Sequence, residues 1–316
     1  MIELIRRNKF VQLSGVLALT AAPVWAASDA TGVSPTSGWS WPPAIVAALA
    51  ITAILYIIGT VRMLRRSARP RQHATTIAFF AAGWISLLIA LDSPLHEIGE
   101  QLFWVHMLQH EILMLVSAPL LVLGRPLIPF LWALPQRWRE RAASMGRARS
   151  FRSVWDGFSS PVSAWLISAL GLWVWHLPWL FDKTLQNDWM HAAQHTTFLL
   201  TALLFWWPLT NPTSRFGYGA AIIYVFTTAL HTSILGALLT FAPRPWYSPY
   251  LATAPLWHWT ALEDQQLGGL IMWIPAGTLL IAVGLWLLVK WLNQSQLRWQ
   301  YTQMAELTRL SQGGSR

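Results

Sequence analysis

WVHMLQHEILMLVSAPLLVL, at residues 104–123, is an apolar run with a single charged side chain, Glu111. A run of this length is typical of an α-helix that crosses a bilayer, whose hydrocarbon core takes about 20 apolar residues to span. The run begins with the pattern Trp-x-His-x-x-Gln-His, which comprises Trp104, His106, Gln109 and His110. The same pattern begins a second apolar run, at Trp189, His191, Gln194 and His195.

The composition of the whole chain agrees with a membrane protein. Of its 316 residues, 54% are hydrophobic and only 11% charged, with a mean hydropathy of +0.41. Soluble domains carry about 25% charged residues, so we expect the lipid bilayer to surround much of this chain. The net charge of +9 does not indicate nucleic-acid binding, because the arginines lie in short stretches between apolar runs. The absence of cysteine excludes disulfides and thiolate metal ligands.

The apolar runs predict an all-α polytopic membrane bundle of about seven transmembrane helices. They lie at residues 44–61, 74–91, 104–123, 161–176, 189–207, 219–241 and 267–291. Arginines follow the first run and fill the connection between the third and fourth, which places both connections in the cytoplasm. In a bacterial inner (plasma) membrane, the mature N-terminus is then outside and the C-terminus is cytoplasmic.

Flanking segments complete the predicted domain organisation. Residues 1–27 resemble a secretory signal, with an uncleaved anchor as the alternative. Residues 28–43 form a lead-in on the outer side, 44–291 the membrane domain, and 292–316 a basic cytoplasmic tail.

The two histidine pairs predict a metal site. Each pair has the spacing i, i+4, so both rings project from one helix face, with Cβ atoms about 5–6 Å apart. Histidine inside a membrane is costly unless it has a partner, which makes it a functional candidate. Both motif helices run from outside to inside, so the pairs lie at similar depth. If the two helices are neighbours, His106, His110, His191 and His195 form one site; otherwise there are two bidentate sites or none.

Ligand type selects the metal. Imidazole suits copper, zinc and iron, whereas thioether favours Cu(I), and Met107 and Met190 lie beside the motif histidines. Copper is therefore the expected cargo, with zinc open and haem ranked second. His231, in the middle of its run, is either a deeper copper ligand or a hydrogen-bonded core histidine. For His96, His176 and His258 we expect an ordinary interfacial ring or a supporting role.

Enzymatic activity is not favoured by the motif. His-x-x-Gln-His differs by one residue from the inverted zinc-protease motif, in which a glutamate is the general base. Glutamine cannot take that role, because its amide does not accept a proton at neutral pH. A zinc hydrolase would have to use Asp92, Ser93 or Asp264, for which helix capping or interfacial polarity is the simpler interpretation.

Several stretches together resemble one protein family. They are Asp92-Ser-Pro-Leu, His106-Met-Leu-Gln-His110 running on to Leu123-Gly-Arg-Pro126, Trp175-His-Leu-Pro178, Phe205-Trp-Trp-Pro208 and Asp264-Gln-Gln-Leu-Gly-Gly-Leu-Ile-Met-Trp-Ile-Pro275. In order and spacing they resemble the multi-span CtaG family of cytochrome c oxidase assembly factors, over most of residues 40–292. The resemblance implies a role in maturing a haem-copper oxidase, copper delivery, and oxidase subunits as partners. It also matches His106, His110, His191, His195, His231 and Asp264 to family positions.

Three other functions stay open on the sequence alone. They are a copper or other metal permease, a zinc-dependent membrane hydrolase, and an assembly scaffold that binds no metal.

Overall fold

The structure, a computed structural model, describes residues 39, 41–210 and 216–313. The signal-like segment predicted at 1–27 and most of the lead-in at 28–43 lie outside these residues. Within them the chain is helical and contains no β-strand, which confirms the predicted all-α class.

Long helices form the bundle and short ones connect them. The long helices are α1 (Pro43–Arg66), α2 (Ala74–Asp92), α4 (Phe103–Leu123), α8 (Pro161–Trp175), α10 (Asp188–Thr210), α11 (Tyr218–Thr240) and α13 (Ala261–Gly313). The short ones are α3 (Pro94–Gly99), α5 (Leu127–Ala133), α6 (Gln136–Arg147), α7 (Arg149–Phe158), α9 (Pro178–Thr184) and α12 (Tyr250–Thr253).

Not all seven predicted spans are equally apolar. Among the described residues, five helices are long and apolar enough to cross a membrane: α1, α2, α4, α11 and α13. A sixth arises if α7 and α8, bent by 56° at their junction, form one span. Helix α10 is also long but is not among these five, and its polar residues include the second histidine motif. The structure therefore supports a polytopic bundle, and the count of seven stays a prediction.

Helix α4, which carries the first motif, lies at the centre of the bundle. In its most apolar stretch 61% of the residues are buried, against 22–33% in the other four candidate spans. It contacts α2, α10 and α13. The outer helices instead expose large apolar side chains, among them Ile51, Ile54 and Ile57 of α1, as expected of a surface that faces lipid.

Helices α11 and α13 pack very closely against each other beside α4. A Cβ atom at Gly269 of α13 would lie 2.5 Å from Thr240 Oγ1 and 2.7 Å from the Gly236 carbonyl oxygen of α11. Only glycine allows this approach, as is common where membrane helices pack backbone to backbone.

The bundle has two chemically different ends. Helices α4 and α10 both begin at one of them, which we call the motif end. At the opposite end, Arg62 lies near the end of α1, and its guanidinium donates to the carbonyl oxygen of Ala133 at 2.5 Å. The arginines of α6 follow there, so the largest group of basic side chains and the histidine motifs occupy opposite ends.

Candidate metal centre

The start of α4 is fixed by a carboxylate from α13. Asp264 accepts hydrogen bonds from the backbone N–H groups of Phe103 at 2.8 Å and Trp104 at 3.0 Å. These groups are unpaired at any helix N-terminus, and a carboxylate there also interacts favourably with the helix dipole. Asp264 thus caps α4 rather than joining the histidines, and it sets the height at which His106, one turn later, enters the bundle.

The second motif begins in an equivalent way. The Asn187 side chain accepts from the backbone N–H groups of Trp189 at 2.9 Å and Met190 at 3.1 Å, which caps α10. The two caps place both histidine pairs within the first two turns of their helices.

The two pairs meet. The ring centroids of His106 and His191 lie 5.1 Å apart with the planes nearly parallel, and those of His110 and His195 lie 5.2 Å apart. Within each pair the separation is 4.4 Å. The sequence left open whether the third and fifth apolar runs are neighbours. They are, as α4 and α10, and the four motif histidines therefore form one group.

Two further histidines join this group. The His96 ring, in α3, stacks at 5.1 Å on His191, and the His176 ring, at the end of α8, lies 6.3 Å from His110. We call His96, His106, His110, His176, His191 and His195 the histidine cluster. All are buried except His96, which is largely so. Sequence reasoning gave His96 and His176 ordinary or supporting roles, because nothing in their local pattern indicates the tertiary contact.

Neighbouring groups fix how several rings present their nitrogens. Tyr250 donates its hydroxyl proton to the Gly99 carbonyl at 3.0 Å, so toward His106 Nδ1, 3.4 Å away, it acts as acceptor. His176 Nδ1 lies 2.7 Å from the Leu172 carbonyl, which can only accept. In both rings Nδ1 carries the proton, so Nε2 keeps its lone pair, as a metal ligand requires.

A carboxylate arranges two more rings. Glu100 lies 3.6 Å from His191 Nδ1 and 3.8 Å from His96 Nε2. It therefore favours a proton on His191 Nδ1, which frees His191 Nε2 for a ligand. The hydrogen bond with His191 lowers the pKa of Glu100, and this opposes the effect of burial.

Gln109 of the first motif supports the cluster from behind. Its amide donates to the Ala90 carbonyl at 2.6 Å and lies 3.2 Å from His96 Nδ1. The amide proton left over from the first bond is thus available to His96 Nδ1. Burial lowers the pKa of His96, and the nearby His191 ring lowers it further, so the ring is neutral at neutral pH.

Buried nitrogens without partners are the main electrostatic feature of the cluster. Nε2 has no hydrogen-bond partner in five of its rings, those of His106, His110, His176, His191 and His195. Each buried, unpaired polar group costs about 1–3 kcal/mol. Five of them together would cost about 5–15 kcal/mol, which is comparable to the whole net stability of a typical folded protein.

The geometry offers two overlapping three-histidine groups. One comprises His96, His191 and His195, the other His106, His110 and His195. In each, the ligand nitrogens lie within 4.8 Å of one another. Two nitrogens bound to one ion at about 2.0–2.1 Å are at most about 4 Å apart, so small side-chain rotations would complete either group.

The other predicted ligands lie elsewhere. Met107 is fully buried and packs in an apolar core with Phe103 and Phe181. Met190 is partly buried, with its backbone N–H engaged by the α10 cap. The His231 ring packs edge-on at 5.4 Å against Trp165, outside the histidine cluster. His258 is exposed, with φ of 61°.

Of the candidate carboxylates, only Asp92 lies near the cluster with free oxygens. It is fully buried, neither of its oxygens has a hydrogen-bond partner, and its charge acts on His96. Ser93, by contrast, caps α3 by accepting from the backbone N–H of Leu95 at 3.3 Å. The helix-capping interpretation thus holds for Ser93 and not for Asp92.

Comparison with known proteins identifies relatives of this chain. The family described as "Cytochrome c oxidase caa3 assembly factor (Caa3_CtaG)" matches residues 54–294. An uncharacterized protein of Mycobacterium leprae is 26% identical over 269 residues, which cover 81% of this chain and 40% of the relative. An uncharacterized protein of Mycobacterium bovis is 26% identical over 268 residues, covering 82% and 40%. The chain thus spans about 40% of the length of these relatives. No solved structure matches.

Proposed function

The chain belongs to the family of cytochrome c oxidase caa3 assembly factors, and from this premise we propose that it binds copper in the histidine cluster and delivers it to an oxidase subunit. The proposal places the motif end on the outer side of the bacterial inner membrane, because most of the arginines lie at the opposite end. Copper is the cargo here rather than a resident cofactor.

One observation carries the proposal: five buried imidazoles leave Nε2 unpartnered within a single cluster. In His106, His176 and His191 the partner of Nδ1 favours the tautomer that a metal needs. Imidazole ligands suit copper, and neutral rings avoid placing net charge in the membrane before the ion arrives. Packing alone gives no reason to gather six histidines around unpaired nitrogens.

The overlap of the two groups suits delivery better than storage. His195 belongs to both three-histidine groups. Three nitrogens of one group can therefore hold an ion while the remaining histidines of the other group are free to replace them. Glu100, whose side chain is about half exposed, connects the cluster to the surface of the motif end. An acceptor protein could therefore approach the ion from that side without opening the bundle.

The proposal is tested by replacing one ligand from each motif. The double variant His106→Ala/His191→Ala is expected to lower both the copper bound to the purified protein and the oxidase activity of the membranes. The matched control is His73→Ala/His258→Ala, which removes two histidines outside the cluster. Unchanged copper and unchanged oxidase activity in a double variant that accumulates normally would overturn the proposal.

A second candidate, a zinc-dependent membrane hydrolase, is favoured by the unpartnered carboxylate of Asp92. Zinc also takes three histidines, and a nearby carboxylate can act as general base toward metal-bound water. This function predicts that zinc rather than copper co-purifies. It also predicts that Asp92→Asn abolishes the cellular function while leaving the metal content unchanged.

A further inference from the structure

A small cavity lies within the bundle, further along α4 than the histidine cluster. Its volume is about 70 Å³, and its walls come from α4, α8, α10, α11 and α13. Most of the lining is apolar, as expected in the middle of a membrane protein. Beside four hydroxyl side chains, the lining includes a carboxylate, an imidazole and two thioethers, which belong to Glu111, His231, Met114 and Met272.

Two of these side chains bury polar atoms that nothing satisfies. Glu111 is 8% exposed and its Oε2 has no hydrogen-bond partner. His231 is partly buried as a residue, and its Nδ1 is buried without a partner. Trp165, which packs against the His231 ring and also lines the cavity, leaves its Nε1 unpartnered. In an apolar interior each unpaired polar group raises the free energy of the folded state. Several such groups around one cavity therefore indicate a binding site for a ligand.

An irregularity in α4 shapes this cavity. Directly after Glu111 the helix adopts a π-helical segment, Ile112–Ser117. Such segments are rare and are frequent at functional sites. The Met114 carbonyl, within the segment, accepts a hydrogen bond from Trp206 Nε1 at 2.9 Å, which stabilises the altered backbone. The segment thus carries Met114 into the cavity wall.

We propose that this cavity is a second binding site, for Cu(I), with His231 Nδ1 and the sulfur atoms of Met114 and Met272 as ligands and the Glu111 carboxylate as counter-charge. The inference deepens the proposed copper function and rests on it. Thioether and imidazole together select Cu(I) over harder divalent ions. One carboxylate also balances one monovalent cation, whereas a divalent ion would leave net charge buried in the membrane.

The cavity volume restricts what can bind. A water molecule occupies about 30 Å³ of liquid, so the cavity holds about two waters or one ion without its hydration shell. An ion in this cavity would take most of its ligands from the side chains of the wall. Because Glu111 directly follows the cluster residue His110, an ion leaving the cluster has only a short way to go along α4.

The test uses purified, full-length protein loaded anaerobically with Cu(I) in competition with a Cu(I) chelator. The variant Met114→Leu/Met272→Leu conserves side-chain volume, a change that usually costs less than about 1.5 kcal/mol. We expect it to lose one equivalent of copper and the sulfur contribution to the copper X-ray absorption spectrum. His231→Asn should lose the same equivalent. Met63→Leu, a buried methionine of α1 away from the cavity, is the matched control and should lose neither.

The outcomes separate this site from the histidine cluster. In His106→Ala/His191→Ala the sulfur contribution should persist while the imidazole contribution falls, and loss of cluster copper alone is what the proposed function predicts. No sulfur contribution in the wild type, or an undiminished one in the double methionine variant, would overturn the second site and leave the cluster unaffected. Full copper content in the histidine variant would refute the cluster instead.

Discussion

Tyr250→Phe tests whether the Tyr250 hydroxyl fixes the orientation of the His106 ring in the histidine cluster. The Tyr250 hydroxyl is fully buried, donates to the Gly99 carbonyl at 3.0 Å and accepts from His106 Nδ1 at 3.4 Å. Removing it lets the His106 ring rotate or change tautomer, so that Nε2 no longer reliably offers a lone pair. Losing the partner of a metal-binding histidine typically costs 10–100-fold in metal affinity, or about 1.4–2.7 kcal/mol.

The substitution also has a stability cost that must be separated from this effect. The Gly99 carbonyl loses its partner, which we expect to cost about 1–3 kcal/mol. Tyr247→Phe is the matched control, because Tyr247 is equally buried and donates to the His176 carbonyl at 3.1 Å without touching a cluster nitrogen. Both variants should melt at lower temperature than the wild type.

Copper affinity then distinguishes the two variants. In a chelator-competition titration of purified protein, Tyr250→Phe should bind copper 10–100-fold more weakly than the wild type, and Tyr247→Phe should not. Equal affinities in the two variants would refute the idea that Tyr250 orients His106 as a copper ligand.

Three other substitutions test the frame around the cluster. Gly269→Ala places a Cβ 2.7 Å from a backbone nitrogen and should destabilise the bundle by about 1–3 kcal/mol in thermal unfolding, whereas Gly284→Ala, which meets no neighbour within 4 Å, should not. Asp264→Asn leaves one accepting oxygen at the start of α4, so one backbone N–H loses its partner, and should cost about 1–3 kcal/mol, measured the same way; an unchanged melting temperature would contradict the capping role. Glu100→Gln removes a half-exposed partner of His191, so we expect less than about 1 kcal/mol at neutral pH. Because the pKa of Glu100 is lowered, that difference should vanish as the pH falls below 4.5, and a difference that grows there would argue against the contact.

The elements that sequence predicts well here are those set by local periodicity. The spacing of His106 and His110, repeated at His191 and His195, fixes which rings share a helix face. The apolar runs fix where six of the seven long helices lie to within about five residues, whereas α13 continues from the predicted run at 267–291 to Gly313. Both follow from helix geometry alone, so they need no knowledge of neighbouring helices.

What the sequence leaves open depends on tertiary packing. His96 reaches the cluster because the short helix α3 packs so closely on α4 that a Cβ at Gly99 would lie 3.3 Å from the His106 Cα. Met107, next to a cluster histidine in sequence, points instead into an apolar core, since successive side chains on a helix diverge by about 100°. His231 lines a separate cavity, and the π-helical segment that shapes this cavity has no recognised sequence signal.

Metal analysis of the purified wild-type protein distinguishes a copper site, a zinc site and a metal-free scaffold in one experiment. After exposure to both copper and zinc and removal of loosely bound ions, we predict that copper remains and that zinc does not. The copper X-ray absorption spectrum should show imidazole coordination, and His106→Ala/His191→Ala should lose most of that contribution. Protein that retains neither metal, or retains zinc alone, would contradict copper binding by the histidine cluster.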